Sequence, residues 1–141
     1  MPALATLSLA ALADKSGVDA DTIRSYDRLG LLSRHRRTSG GLKLYPADEV
    51  ERVIFIRRSL ELGFPVPSVR EMLGIGRKKS LSCGDIYAIA ERQLDDIRRR
   101  LADLKGMEAA LAPLVKSCPR AGDLSKCTII GALSRPSPAG P

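Results

Sequence analysis

Residues 83–127 read CGDIYAIAERQLDDIRRRLADLKGMEAALAPLVKSCPRAGDLSKC, and the fold turns on this stretch. Positions 87, 90, 94, 97, 101, 104, 108, 111 and 115 alternate steps of three and four. All but Glu108 are apolar or aromatic, the pattern of a coiled-coil seam. Met107 and Leu114 broaden the stripe at its far end. The spacing predicts one helix over residues 83–117, with Pro113 bending or shortening its last turns. A helix of that length takes its residues out of any single globular core, so a chain of 141 residues divides into a small head and a dimerising arm. The three cysteines of the chain, Cys83, Cys118 and Cys127, stand at the two ends of that arm.

Composition narrows the function classes. Aromatic content is 4% and Trp is absent, so a large aromatic-lined substrate pocket is not expected, and Leu, Ile, Val and Ala supply a mainly helical core. Lys and Arg number 23 against 16 Asp and Glu, a net charge of +7, which calls for a polyanionic partner. The excess lies in the first half, where Arg34, Arg36, Arg37 and Lys43 follow one another with no acid between them. No CxxC and no acid–base constellation supports an enzyme such as a thiol oxidoreductase.

Apolar residues in Met1–Gly17 are not preceded by the positive charge of an export signal, and Asp14 and Lys15 interrupt them. No stretch reaches the roughly 20 apolar residues of a membrane span. The expectation is a cytoplasmic chain with no membrane partner. Thiols stay reduced there, and cysteines serve as ligands or redox groups rather than as a disulfide framework.

Working outward from the arm, residues 75–82 form a polar, glycine-bearing hinge, and residues 1–74 form the head. Ser8 caps a short helix through Asp14 with Gly17 as the following turn. Asp19 or Asp21 caps a second helix that ends at Gly30. Two short helices joined by a glycine turn are a helix-turn-helix, whose second helix enters a major groove. Leu31–Tyr45, with SGG in its middle, reads as a basic hairpin wing. Pro46 is expected in the first turn of a third helix with the apolar stripe Val50, Val53, Ile54, Ile56 and Leu60, ended by Gly63. A short fourth helix follows to Gly74. Beyond the arm, residues 118–133 form a cysteine loop and one apolar turn, TIIGAL. Residues 134–141 are expected to be disordered.

IRSYDRLGLL, a basic wing ending in LKLY, PADEVERVIFIRRSLELGF and EMLG together resemble the DNA-binding head of the MerR family. ERQLDDIRRRLADLKGMEAALAPLV, with a cysteine before it and two after, is similar to the dimerisation helix of the mercury-sensing members. The resemblance implies a winged helix-turn-helix head followed by a long antiparallel coiled-coil dimerisation helix. It also implies DNA contacts from Thr22, Arg24, Tyr26 and Arg28 in the second helix, Arg36, Arg37, Lys43 and Tyr45 in the wing, and Arg57 after it. The wing departs from the family pattern, since Leu42 and Lys43 stand where tyrosine and arginine are common, and a lysine lacks the bidentate fork of arginine. Ser25 and Asp27 stand where some relatives carry an aromatic and an amide.

Cys83 and Cys118 are separated by roughly 50 Å of continuous helix at about 1.5 Å per residue, so they do not meet within one chain. In an antiparallel pair, Cys83 of one subunit meets Cys118 and Cys127 of the other, giving two equivalent sites. Three thiolates with no fourth protein ligand suit mercury(II) better than zinc(II), which prefers four tetrahedral ligands. His35 lies in the wing, remote from this loop, while Asp123 offers one hard ligand, so lead(II), cadmium(II) and zinc(II) stay as alternatives. The eight residues between Cys118 and Cys127 resemble the loop of the mercury and lead sensors. A disulfide-forming redox switch and plain buried thiols are the other readings. The family further implies a homodimer on double-stranded promoter DNA. It represses without metal and underwinds an overlong promoter spacer on metal binding, so that RNA polymerase can use it. A small-molecule-responsive regulator of the same fold would need a further ligand domain.

Overall fold

The computed structural model describes residues 6–33 and 36–136. The elements run β1 (Thr6–Ser8), α1 (Leu9–Ser16), α2 (Ala20–Arg28), β2 (Arg36–Arg37), β3 (Lys43–Pro46), α3 (Glu49–Glu61), α4 (Val66–Met72), α5 (Cys83–Ser117), a 3-10 turn (Leu124–Lys126) and α6 (Thr128–Leu133). They fall into two compact units, Met1–Gln93 and Leu94–Pro141, with α5 belonging to both. Among the described residues no helix is long and apolar enough to cross a membrane. Arg34, His35 and the end of the tail from residue 137 lie outside the described residues.

The head is built by local signals that its sequence carries. Ser8 accepts a hydrogen bond from the Ala11 N–H at 3.1 Å and so caps α1. The helix runs past Asp14 to Ser16, because nothing before Gly17, in the left-handed region at φ 73°, turns the chain. Asp19, not Asp21, caps α2. Its carboxylate accepts from the Thr22 N–H at 2.8 Å and from the Thr22 hydroxyl at 3.0 Å, and these bonds hold it below the usual carboxylate range. Leu12, Ile23, Leu31, Val53, Ile56 and Val69 then form a fully buried core, with Leu7, Val18, Tyr26 and Tyr45 around it.

The wing hairpin closes as expected through a turn at Thr38–Gly41, with Arg36 opposite Leu44 and Arg37 opposite Lys43. Its third partner was not expected. β1 pairs antiparallel with β3, Leu7 opposite Tyr45, so the sheet has the order β1-β3-β2. Pro46 therefore ends a strand opposite Thr6 rather than opening a helix, and α3 begins at Glu49. The fixed φ of proline suits a strand end and a helix start alike, and the pairing with β1 decides between them.

Glu49, expected only as a favourable charge at the start of α3, is buried. Its Oε2 accepts from the Ser33 N–H at 3.1 Å, and its Oε1 lies 3.5 Å from Arg52 Nε, which itself donates to the Leu31 carbonyl at 2.9 Å. Burial pushes the carboxyl above its usual range, against the pull of Arg52. The first turn of α3 is thereby tied to the chain that leads from α2 into the wing.

Ser82 and Asp85 cap α5 reciprocally. The Ser82 hydroxyl accepts from the Asp85 N–H at 3.1 Å, and the Asp85 carboxylate accepts from the Ser82 N–H at 2.9 Å. Cys83 is thus the first helical residue, and the helix continues through Pro113 to Ser117. Within the head unit α5 buries Ile89 and Gln93. In the second unit Leu94, Leu101, Leu104, Met107, Leu111 and Val115 are 44–64% exposed, a stripe left uncovered by the single chain. The expected turn after the cysteine loop is α6.

Candidate nucleic-acid interface and metal centre

α2 carries its charges on the side away from buried Ile23 and Tyr26. Arg24 pairs with Asp21, and the Arg28 guanidinium donates to the Ser25 hydroxyl at 3.0 Å. Lys43 of the wing reaches across to Asp27 of α2, Nζ to Oδ2 at 2.8 Å. Arg24, Asp27, Arg28 and Lys43 line a shallow open hollow of about 320 Å³. Four charges, three of them positive, thus join the helix and the wing into one surface suited to a phosphate backbone. In the wing, the Arg37 guanidinium donates to the Gly41 carbonyl at 3.1 Å and steadies the hairpin tip. Arg36 is placed by its strand pairing.

The other expected contact residues lie elsewhere. Tyr26 is 5% exposed and Tyr45 1%, both rings in the head core, and burial raises both phenol groups above their usual range. Thr22 spends its N–H and hydroxyl on the Asp19 cap. Arg57 donates to the Gly17 carbonyl at 3.2 Å, with Glu61 beside its Nε at 3.7 Å, and so braces the helix-turn-helix turn. Arg70, which sequence reasoning passed over, donates to the Leu29 carbonyl at 2.8 Å and to that of Gly30 at 3.3 Å. Gly30 is needed for its φ of 72°, and a Cβ there would meet Arg70 Nη1 at 2.8 Å, so the guanidinium would have to shift from its two carbonyls.

Asp27 holds Lys43 in an ion pair, and its charge would oppose any phosphate brought to that lysine. Asp27→Asn is expected to tighten promoter binding and to steepen the plot of log affinity against log salt by about one unit, the share of one more phosphate neutralised. Fluorescence anisotropy over a salt series measures both. An unchanged slope would show that Lys43 meets no phosphate.

At the far end of α5, a loop of opposite backbone hand follows Cys118. Arg120 stands at φ 63° and Gly122 at φ 103°, and the Asp123 carboxylate accepts from the Ser125 N–H at 3.3 Å. Cys118 and Cys127, both free thiols, line one hollow of about 210 Å³ with Asp123. Cys83 is exposed at the start of the helix. Among the described residues of the single chain, no three Cys, His, Asp or Glu side chains come together to hold an ion. The donor set of three free thiols fits a soft, thiophilic ion.

A winged helix-turn-helix with a cationic recognition surface and a long helix that fits a coiled coil defines a DNA-binding regulator. The sequence model of the MerR HTH family regulatory proteins matches residues 7–74, and that of the MerR DNA-binding region matches residues 50–114. The chain belongs to the MerR family of transcription regulators, which are not enzymes. It is 39% identical over 124 residues to a mercuric resistance operon regulatory protein of Bacillus cereus, covering 88% of this chain and 94% of that one. It is 32% identical over 126 residues to the HTH-type transcriptional regulator ZntR of Escherichia coli K12, covering 88% and 89%. Among solved structures, the transcription regulator PbrR691 from Ralstonia metallidurans CH34 in complex with lead(II) superposes with a TM-score of 0.78 at 26% identity, over 91% of this chain and 99% of that one.

Proposed function

We propose that this regulator is a homodimer that senses mercury(II) through Cys83 of one subunit and Cys118 and Cys127 of the other. The observation that carries the reading is the placement of the only three cysteines, one as the first residue of α5 and two in the loop after its end. Antiparallel pairing of the arms brings the two groups together twice under two-fold symmetry. Relatives named for mercuric resistance, and the lead(II) complex of a structural neighbour, support a thiophilic effector. Three thiolates favour mercury(II) over lead(II) and cadmium(II), and over zinc(II), which would require a fourth ligand.

In this reading the dimer sits on promoter DNA with α2 of each head in a major groove and the wings on flanking phosphates. It represses without metal. Mercury(II) shifts the dimer to a state that distorts the promoter for RNA polymerase, and the shift is limited by how much more tightly the ion binds that state. The test is titration of the reduced protein with mercury(II), lead(II), cadmium(II), zinc(II) and copper(I), following thiolate charge-transfer absorbance and transcription together. Mercury(II) is expected to saturate both signals at one ion per subunit. Saturation by zinc(II) at lower concentration would overturn the assignment. Because Cys118 and Cys127 line the same hollow, a redox switch is the second reading, and activation by peroxide without metal would favour it.

A further inference from the structure

Gln93 is a polar side chain in a dry place. It is 7% exposed, and its Nε2 donates at 3.0 Å to the carbonyl of Leu62, the residue that ends α3. The approach is close because the next residue has no side chain: a Cβ on Gly63 would stand 3.0 Å from that same nitrogen. Gly63, at φ 83°, also lets the chain turn away from α3 there. Ile89, one turn earlier on the same side of α5, is 4% exposed. Apolar packing tolerates sliding, whereas a single buried hydrogen bond fixes position and direction.

α3 holds the helix-turn-helix turn and the base of the wing by three other bonds already described. Arg57 donates to the Gly17 carbonyl in the helix-turn-helix turn, and Glu49 with Arg52 holds Leu31 and Ser33 at the base of the wing. α3 is therefore gripped by α5 at its end and grips the turn and the wing along its length. We infer that Gln93 is a positioning residue for regulation, the pin through which α5 sets α3 and, through α3, the recognition helix and wing. The inference rests on the metal-sensing reading for its biological meaning, but the contact itself lies wholly within the head unit.

The test uses the full-length reduced protein and two variants, Gln93→Leu and Gln93→Met, which come near the size of the side chain and have no N–H or O–H to donate. Both are expected to bind promoter DNA and mercury(II) within about twofold of the parent. Both are expected to lower the ratio of transcription with and without mercury(II) by about tenfold, within the span seen when residues of a coupling network are changed. Hydrogen exchange without metal gives a second reading, with faster exchange expected at residues 17–19, where α3 touches the turn. An unchanged induction ratio together with unchanged exchange at that turn would overturn the inference. So would a loss of induction that merely follows a loss of folded protein, with DNA and metal binding falling in step. If the parent itself ignores mercury(II), the sensing proposal fails, while the exchange measurement still decides whether Gln93 positions the head.

Discussion

Replacing Cys118 by serine is expected to abolish the response to mercury(II) while leaving promoter binding intact. The hydroxyl of serine is a hard, neutral donor, and a soft ion held by three thiolates loses a third of its coordination when one is removed. Disturbing a partner behind a ligand already weakens metal affinity by roughly 10–100-fold, so loss of a ligand itself should exceed that. Cys83→Ser and Cys127→Ser should fail to the same degree if all three thiols serve one ion. Mixed dimers separate the shared site from a site within one chain. A subunit carrying Cys83→Ser is paired with a subunit carrying both Cys118→Ser and Cys127→Ser. Sharing across the dimer leaves one complete set, made by Cys83 of the second subunit and the loop cysteines of the first, so the mixed dimer should bind one tight mercury(II). Sites built within one chain would leave none, and absence of tight binding would sink the shared-site proposal.

What could be read from the sequence follows the range over which each signal acts. The bounds of α5 were legible because a seam repeated over many turns outweighs one proline, even one that lies inside the helix as Pro113 does. The caps at Ser8 and Asp19 and the turns at Gly17, Gly30 and Gly63 act over three or four residues, and they set the helices of the head. β1 was not legible. Three residues have no alternation to recognise, and Thr6–Ser8 becomes a strand only because β3 lies beside it. Pro46 was misplaced for the same reason. Glu49 looked like any acid at a helix start, and its burial depends on Ser33 and Arg52 arriving from both sides. Ile89 and Gln93 were hidden by the seam itself. A helix that serves two surfaces carries two stripes, and the longer one dominates the pattern.

The position of the three cysteines about the ends of α5 was plain in the sequence, whereas the orientation of the charges in the head was not. Asp27 gave no sign in the sequence that Lys43 would meet it, because their contact spans the loop from α2 into the wing. Tyr26 and Tyr45 carry the family motif, yet both rings lie in the core, where they fix the helix and the strand that present Arg24, Arg28 and Lys43. A motif marks residues that a fold depends on as readily as residues that touch a ligand.

The uncovered stripe of α5 gives the second large effect. In the proposed dimer, placing Cys83 of one arm beside Cys118 of the other puts the two-fold axis next to Leu101, which is 50% exposed in the single chain. Leu101 then packs against its own copy. Fully burying an exposed leucine contributes about 1.5–3 kcal/mol; half of Leu101 is already covered in the single chain, and symmetry counts each substitution twice, so the lost burial in Leu101→Glu should weaken dimerisation by about 1.5–3 kcal/mol, one to two decades in dissociation constant. Two carboxylates facing across the axis add repulsion of about 1–4 kcal/mol at 4 Å, depending on how much water remains between them. Sedimentation equilibrium should find a monomer, and affinity for a full two-half-site promoter should fall towards that of a single head. Arg99→Ala, on the solvated face of the same turn, should leave the dimer unchanged. Self-contact at Leu101 has a sharper consequence. Leu101→Lys should also dissociate, yet the glutamate and lysine variants mixed together should pair, because each mixed dimer sets one charge against its opposite. A parallel arrangement would also bring the position to its own copy, but it would place Cys83 beside Cys83, far from Cys118. Restored pairing with restored mercury(II) binding therefore requires the antiparallel register, and pairing restored without the metal site would refute it.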